Sequence, residues 1–283
     1  MTLQSWLNKG EARLRSGPRP ERARADAELL LLHLIEQDRA FLIAHPEKVL
    51  TAAGAVRYYA LIERRVGGEP VQYITGEQEF YGLPFRVTPD VLIPRPETEH
   101  LVEKALALAA GFAQPRIVDV GAGSGAIAVA LAHNLPQAQV TAADVSAAAL
   151  EIAHENAQRN GVSDRIRFLK SDLLAAVADE RFEFVVSNPP YVPTADRDSL
   201  SVEVREHEPA LALFAGDDGL AVYRRLIPDA FEVLTPGGFL VLEIGYGQSE
   251  SVGALLTDAG FTRIEFVPDL QGILRVACGL RAG

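Results

Sequence analysis

From Arg116 to the C-terminus, β-prone runs of about five residues alternate with segments of helical length and period, and this alternation constrains the fold more than any other feature of the chain. Strands are predicted at 116–120, 139–144, 165–169, 182–187 and 239–244, with helices at 125–134, 147–160 and 220–234 between them. Strands joined by helices pair in parallel, are covered on both faces and offer ligand sites at their carboxyl ends. A helix at 249–258 and strands at 262–267 and 273–278 complete a seven-stranded, Rossmann-like α/β fold.

Upstream the pattern changes. Thr2 is placed to cap a helix carrying Leu3, Trp6, Leu7 and Leu14, which ends before Gly17 and Pro18. Pro20 opens a second helix whose Leu29, Leu30, Leu31, Leu32, Leu34 and Ile35 form a run continuous enough to predict burial all round. A third helix, capped by Thr51, runs to about Arg65 and stops at Gly67-Gly68. Short β-prone pieces at 71–74 and 80–87, separated by Gly76, read as a hairpin. The expected organisation is a helical domain at 1–70, a β-hairpin linker at 71–95 and an α/β domain at 96–283, whose first helix opens at Pro96 with Glu97 and Glu99 in its first turn.

Charge narrows the partners. The 283 residues carry 27 basic and 38 acidic groups, a net charge of −11. Residues 1–85 hold 11 of each sign, so 86–283 hold 16 basic and 27 acidic groups and the entire excess. Binding to a nucleic-acid backbone calls for a basic face; none is announced, and no direct nucleic-acid partner is expected. The longest apolar run, about nine residues at 105–113, is far below the roughly 20 of a membrane helix, and the first 30 residues contain no apolar signal region. Neither secretion nor membrane insertion is expected. With one cysteine, Cys278, and no Cys/His cluster of zinc spacing, the chain suits a reducing cytoplasm and no metal is expected. Arg13, Arg15, Arg19, Arg22 and Arg24 read either as a solvated helix face or as a contact for an acidic partner. The lone His45 and His207 receive no role.

Asp119-Val120-Gly121-Ala122-Gly123-Ser124-Gly125 follows the first strand of the α/β region and opens a helix. Glycines there allow a sharp turn and a close approach of backbone to ligand. Asp144, at the end of the next strand, can accept from both hydroxyls of a ribose. The loop by itself fits a dinucleotide as well as S-adenosylmethionine, because Gly121, Gly123 and Ala126 also satisfy the dinucleotide spacing. Two carboxylates favour the sulfonium cofactor. Asp119 would repel a pyrophosphate and attract the ammonium of a methionine moiety, and Ser171-Asp172, after the third strand, offers an acceptor to an adenine amino group. The plainer reading of Asp144 and Asp172 is as helix or turn caps.

Ser187-Asn188-Pro189-Pro190-Tyr191 follows the fourth strand, at the ligand-binding edge of such a sheet. A planar amide or aromatic amine that is to receive a methyl group must have both N–H groups bound in a dry site, since an unpaired buried donor costs about 2–7 kcal/mol. Asn188 offers a side-chain oxygen and Pro189 a backbone carbonyl, while the two prolines add no competing donor. Residues preceding proline are held extended, and Tyr191 can stack on the planar group. The plainer reading is an ordinary turn.

These motifs resemble the class I S-adenosylmethionine-dependent methyltransferases that modify planar nitrogens and, within them, the release-factor glutamine methyltransferases. Gln72-Tyr73-Ile74-Thr75-Gly76, Leu92-Ile93-Pro94-Arg95-Pro96-Glu97-Thr98-Glu99 and Val204-Arg205 with Glu208-Pro209 extend the resemblance over nearly the whole chain. It implies a small helical substrate-recognition domain before the methyltransferase domain, and methylation of the side-chain nitrogen (N5) of the glutamine in the Gly-Gly-Gln motif of peptide chain release factors, a modification that modulates translation termination. It also implies cofactor contacts from Gly121, Ala122, Gly123, Ser124, Gly125, Asp144, Asp172, Leu173 and Asn188, a substrate amide held by Asn188, Pro189, Pro190 and Tyr191, and catalysis by Asn188, Pro189 and Tyr191. Some members carry tryptophan where this chain has Leu173, which leaves an apolar wall in place of an aromatic contact with adenine. The alternatives are a glutamine methyltransferase of a ribosomal protein, an amino-methyltransferase acting on nucleic acid, and a nicotinamide-dependent dehydrogenase that would leave Asn-Pro-Pro-Tyr without a purpose.

Overall fold

Leucines at helical spacing hold the N-terminal helices together. In the computed structural model, which describes residues 1–283, the chain forms two compact units: Met1–Glu77 with Leu200–His207, and Gln78–Ser199 with Glu208–Gly283. The first contains α1 (Leu3–Leu14), α2 (Ala23–Ile35), α3 (Arg39–Ala44), α4 (Ala52–Val66) and α5 (Val71–Thr75). Thr2, Asp38 and Thr51 accept backbone N–H bonds at the starts of α1, α3 and α4. Leu3, Leu7, Leu30, Leu31, Tyr58 and Ile62 form the core, and the Tyr58 hydroxyl donates to the Ala27 carbonyl at 2.9 Å.

Three local expectations change. The leucine run of α2 is one-sided: Leu30 and Leu31 are fully buried but Leu29 is exposed. Residues 71–74 form α5 rather than a strand, because Pro70 precedes a turn with no strand beside it and Gly76, at φ +77°, ends that turn. Asp38 starts a helix, α3, that the sequence pattern does not announce. The five arginines between 13 and 24 all make intramolecular ion pairs, among them Arg13 with Glu63 and Arg24 with Glu11.

A two-stranded hairpin follows, β1 (Glu77–Phe80) and β2 (Leu83–Arg86), turning through Tyr81 and Gly82 at φ +53° and +72°, the paired positive values of a type I′ turn. Then come α6 (Glu99–Ala109), β3 (Arg116–Val120), α7 (Ala126–Asn134), β4 (Gln139–Asp144), α8 (Ala147–Arg159), β5 (Ile166–Lys170), β6 (Phe182–Ser187), α9 (Val202–His207), α10 (Ala221–Val233), β7 (Leu234–Glu243), α11 (Ser249–Asp258), β8 (Phe261–Pro268) and β9 (Leu274–Arg281). The seven-stranded sheet runs β5-β4-β3-β6-β7-β9-β8. Strands β3 to β7 are parallel, and β9 is antiparallel to β7 and β8.

Alternate residues of each strand enter two separate cores. Ile117, Phe184 and Val241 pack with Leu101 of α6 and Ile127 of α7; Val118, Val185 and Leu240 pack with Leu226 of α10 and Leu256 of α11. The result is a sheet with helices on both faces. Buried Asn156 of α8 binds the backbone of Arg86 in both directions (2.7 and 3.0 Å) and donates to the Ser124 carbonyl at 2.9 Å, fixing the hairpin and the glycine loop to one helix.

The connection from β6 to α10 leaves the second unit after Ser199 and rejoins it at Glu208; the intervening residues, with α9, belong to the first unit. There buried Arg65 binds Asp26 at 2.7 Å and also pairs with Glu203. Breaking a buried pair from one side strands a charge in a dry site. Arg65→Ala should therefore lower the stability of this unit by about 3–5 kcal/mol, measured as a shift of the urea midpoint followed through Trp6, the single tryptophan.

Candidate active site

The strand order reverses around β3: the chain steps out to β4 and β5, then returns to the other side of β3 as β6. Loops leaving β3 and β6 diverge at such a point and open a crevice at the carboxyl edge. It holds a cavity of about 300 Å³.

Three glycines in the left-handed region, Gly121, Gly123 and Gly125 (φ +72°, +53° and +77°), carry the backbone from β3 into α7. Gly121 and Ala122 donate to the Ala143 carbonyl at 2.8 and 3.0 Å, which ties the loop to β4. A side chain at Gly125 would press on Ala153 of α8, whereas one at Gly121 or Gly123 would meet no protein atom within 4 Å; those two glycines leave open a cradle on the cavity wall. The Asp144 carboxylate accepts from Gly123 N–H and Ser146 N–H, both at 2.8 Å, one bond per oxygen. It is thus a loop clamp with lone pairs remaining for a ligand.

Gly121, Ala122, Gly123, Ser124, Asp144, Asp172, Leu173, Asn188 and Pro190 line the cavity. Gly125, Pro189 and Tyr191 directly follow lining residues in the chain but are not themselves part of this wall. Leu173, itself at φ +50°, joins Leu92, Ile127, Val145 and Phe214 in an apolar lining. Asp172 is exposed and ion-paired with Arg225 at 2.7 Å. Arg95, the other lining arginine, pairs with buried Glu208, which also accepts from Ile93 N–H at 3.3 Å.

Asp119 has a different place from the one its sequence position suggests. The pleat of β3 sends it into the protein, fully buried, where Oδ2 accepts from Ala128 N–H of α7 at 3.0 Å. Its Oδ1 has no hydrogen-bond partner in the protein. Burial pushes this carboxyl up to about 7, and the nearby Asp144 charge adds to the effect.

The catalytic-loop expectation meets a set of bonds that the sequence did not reveal. Asn188 Nδ2 donates to Thr98 Oγ1 at 3.1 Å, the Thr98 hydroxyl donates to Glu243 Oε2 at 2.5 Å, and the Tyr191 hydroxyl donates to Glu243 Oε1 at 3.3 Å. Thr98 stands at the start of α6 and Glu243 at the end of β7. Glu243 is buried, and desolvation raises its carboxyl to about 7. Gln248 accepts from Gly245 N–H at 2.9 Å and donates to the Tyr191 carbonyl at 3.0 Å. A side chain at Gly219 would collide with that same carbonyl. The Asn-Pro-Pro-Tyr loop is therefore held from α6, β7 and the start of α11, with the Asn188 side-chain oxygen uncommitted at the cavity wall.

Residues 98–205 match the family model for the methyltransferase small domain, and residues 5–76 match that for the PrmC N-terminal domain. The release factor glutamine methyltransferase of Koribacter versatilis is 45% identical over 99% of this chain and 98% of its own length. The proteins of the same name from Bradyrhizobium diazoefficiens (47%; 97% and 93%) and Salmonella typhimurium (40%; 99% and 99%) are similarly related. Among solved structures, a methyltransferase from Pyrococcus furiosus aligns with a TM-score of 0.52 at 16% identity, covering 78% of this chain and 98% of that one. A 16S rRNA methyltransferase from Thermus thermophilus, bound to AdoMet and guanosine, aligns at 0.54 and 20%, covering 72% and 49%. The shared fold and the near full-length identity lead to one conclusion: the chain is a methyltransferase and belongs to the release factor glutamine methyltransferase family.

Proposed function

We propose that this enzyme transfers a methyl group from S-adenosyl-L-methionine to the N5 side-chain amide nitrogen of the glutamine in the Gly-Gly-Gln motif of peptide chain release factors. The observation that carries this reading is Asn188: its Nδ2 is occupied by Thr98, and its oxygen stands free at the cavity wall beside two residues that have no N–H. That is an acceptor arranged for a donor-rich planar group. The relatives' names agree with the substrate.

Several features support the cofactor. The Gly121 and Gly123 cradle admits a ligand against the backbone, and Asp144 retains acceptor capacity for ribose hydroxyls. Both arginines lining the cavity are already paired with carboxylates, which leaves neither free for a pyrophosphate. Asp172 and Leu173 would border the adenine, one polar and one apolar.

S-adenosylmethionine, when bound, supplies an electrophilic methyl carbon: the amide nitrogen forms the new C–N bond, the C–S pair returns to sulfur, and the N–H proton passes to solvent. The protein's part is to hold the nitrogen. Asn188 Oδ1 and the Pro189 carbonyl accept its two N–H groups, and Tyr191 and Pro190 border the amide plane. Orientation of this kind supplies on the order of 7–11 kcal/mol of a barrier. Because the nitrogen gains positive charge as it attacks, both acceptors bind the transition state more strongly than the ground state. The helical first unit is the part that recognises the release factor.

Incubation with radiolabelled S-adenosylmethionine and either a purified release factor or a ribosomal protein tests the substrate. Label should enter the release factor, resist nuclease and disappear when the motif glutamine is replaced by glutamate; label confined to the ribosomal protein would refute the reading. Asn188→Ala should lower turnover by roughly 10²–10³-fold, the scale of removing one preorganised transition-state hydrogen bond, with an unchanged circular dichroism spectrum. Turnover within twofold of the parent would remove Asn188 from the mechanism.

A further inference from the structure

An asparagine side chain presents oxygen or nitrogen to a substrate depending on a half-turn about one bond, and the two ends are nearly the same size. Only the surrounding hydrogen bonds distinguish them. At Asn188 the distinguishing group is Thr98. A hydroxyl has one proton, and facing the Glu243 carboxylate in its ionised form Thr98 donates that proton to Oε2 at 2.5 Å. Toward Asn188, 3.1 Å away on its other side, it has only lone pairs to offer. An Asn188 rotated by half a turn would set two acceptors against each other.

From this geometry we propose that Glu243 and Thr98 are positioning residues, which act in series to fix the rotational sense of the Asn188 amide so that its oxygen faces the transferable group. The proposal rests on the reading of Asn188 as an amide acceptor and adds two residues to it, neither of which touches the reacting atoms. Glu243 suits the task through its placement. It lies at the end of a central strand, 2% exposed. Its second oxygen takes the Tyr191 hydroxyl at 3.3 Å, so one carboxylate orders both ends of the Asn-Pro-Pro-Tyr loop. The groups around it are the Thr98 and Tyr191 hydroxyls, with the charges of Glu97 and Arg275 further out.

Thr98→Val keeps the shape of the side chain and removes the oxygen, leaving the two Asn188 rotations without discrimination. Turnover should fall on the order of 10–100-fold, as when a supporting hydrogen bond behind a catalytic ligand is lost, while the Kd for S-adenosylmethionine stays within about threefold. Thr98→Ser restores the hydroxyl and should recover most of the loss. The decisive comparison uses Asn188→Asp. A carboxylate shows an oxygen in either rotation, so Thr98→Val should cost less than about threefold when added to that background. Equal losses in both backgrounds would make Thr98 a general packing residue and overturn the proposal, as would an unaltered rate for Thr98→Val alone. Should Asn188→Asp be inactive, hydrogen exchange of the Asn188 side-chain amide decides: protection in the parent and its loss in Thr98→Val support the proposal, and equal exchange in both overturns it. The two readings fail separately, since the loss in Asn188→Ala bears on the acceptor alone.

Discussion

The hydroxyl of Thr98 carries a single proton, and in the proposed reading the direction of that proton sets which end of the Asn188 amide faces the substrate. The ionised Glu243 carboxylate accepts the Thr98 hydrogen bond, Asn188 then presents its nitrogen to Thr98, and the Asn188 oxygen is left at the cavity wall. A planar amide with two N–H groups needs two acceptors and no donor in a dry site. In the proposed reading Asn188 Oδ1 and the Pro189 carbonyl are those acceptors, and Pro189 and Pro190 add no competing N–H. Leaving one substrate N–H without a partner would cost several kcal/mol, comparable with the gain expected from orientation.

The sheet makes this arrangement possible by bringing distant segments to one edge. Glu243 ends β7, Asn188 follows β6, Asp119 and the three glycines lie on and after β3, and Asp144 ends β4. Parallel strands put all of these at the same carboxyl edge, and helices on both faces bury the Asp119 and Glu243 side chains. That burial has electrostatic consequences, since loss of hydration raises both carboxyls to about 7. For an acid whose pKa is raised on folding, the folded state holds more protons than the unfolded one between the ordinary carboxylate range and about 7. Its contribution to stability is therefore largest at low pH and declines as pH rises through that window.

Much of this was legible in the sequence because it depends on period and local chemistry. The strand and helix alternation gave the sheet, the glycine loop gave the turn after β3, and Thr2 and Thr51 marked helix starts that the fold uses as caps. The losses have physical reasons. Residues 71–74 are β-prone, yet no neighbouring strand exists for them to pair with, so the local turn set by Pro70 and Gly76 prevails. Six apolar residues within 29–35, interrupted only by His33, predict a buried helix, but a helix shows only part of its circumference to a core, and Leu29 faces out. The position of Asp119 beside the glycines points to a ligand contact; the pleat turns it inward to the N-terminus of α7 instead. Thr98 and Glu243 lie 145 residues apart, and no periodicity joins them. The 92–99 segment carries part of the family resemblance, though its composition gives no hint that the threonine hydroxyl accepts from an asparagine 90 residues later.

The most direct measurement is a crystal structure of the enzyme with S-adenosylhomocysteine and a Gly-Gly-Gln peptide. The account predicts the glutamine side-chain nitrogen within about 3 Å of both Asn188 Oδ1 and the Pro189 carbonyl, with Asn188 Nδ2 still donating to Thr98. A complex in which the glutamine oxygen faces the loop and accepts from Asn188 Nδ2, with Thr98 unpaired from Asn188, would contradict it.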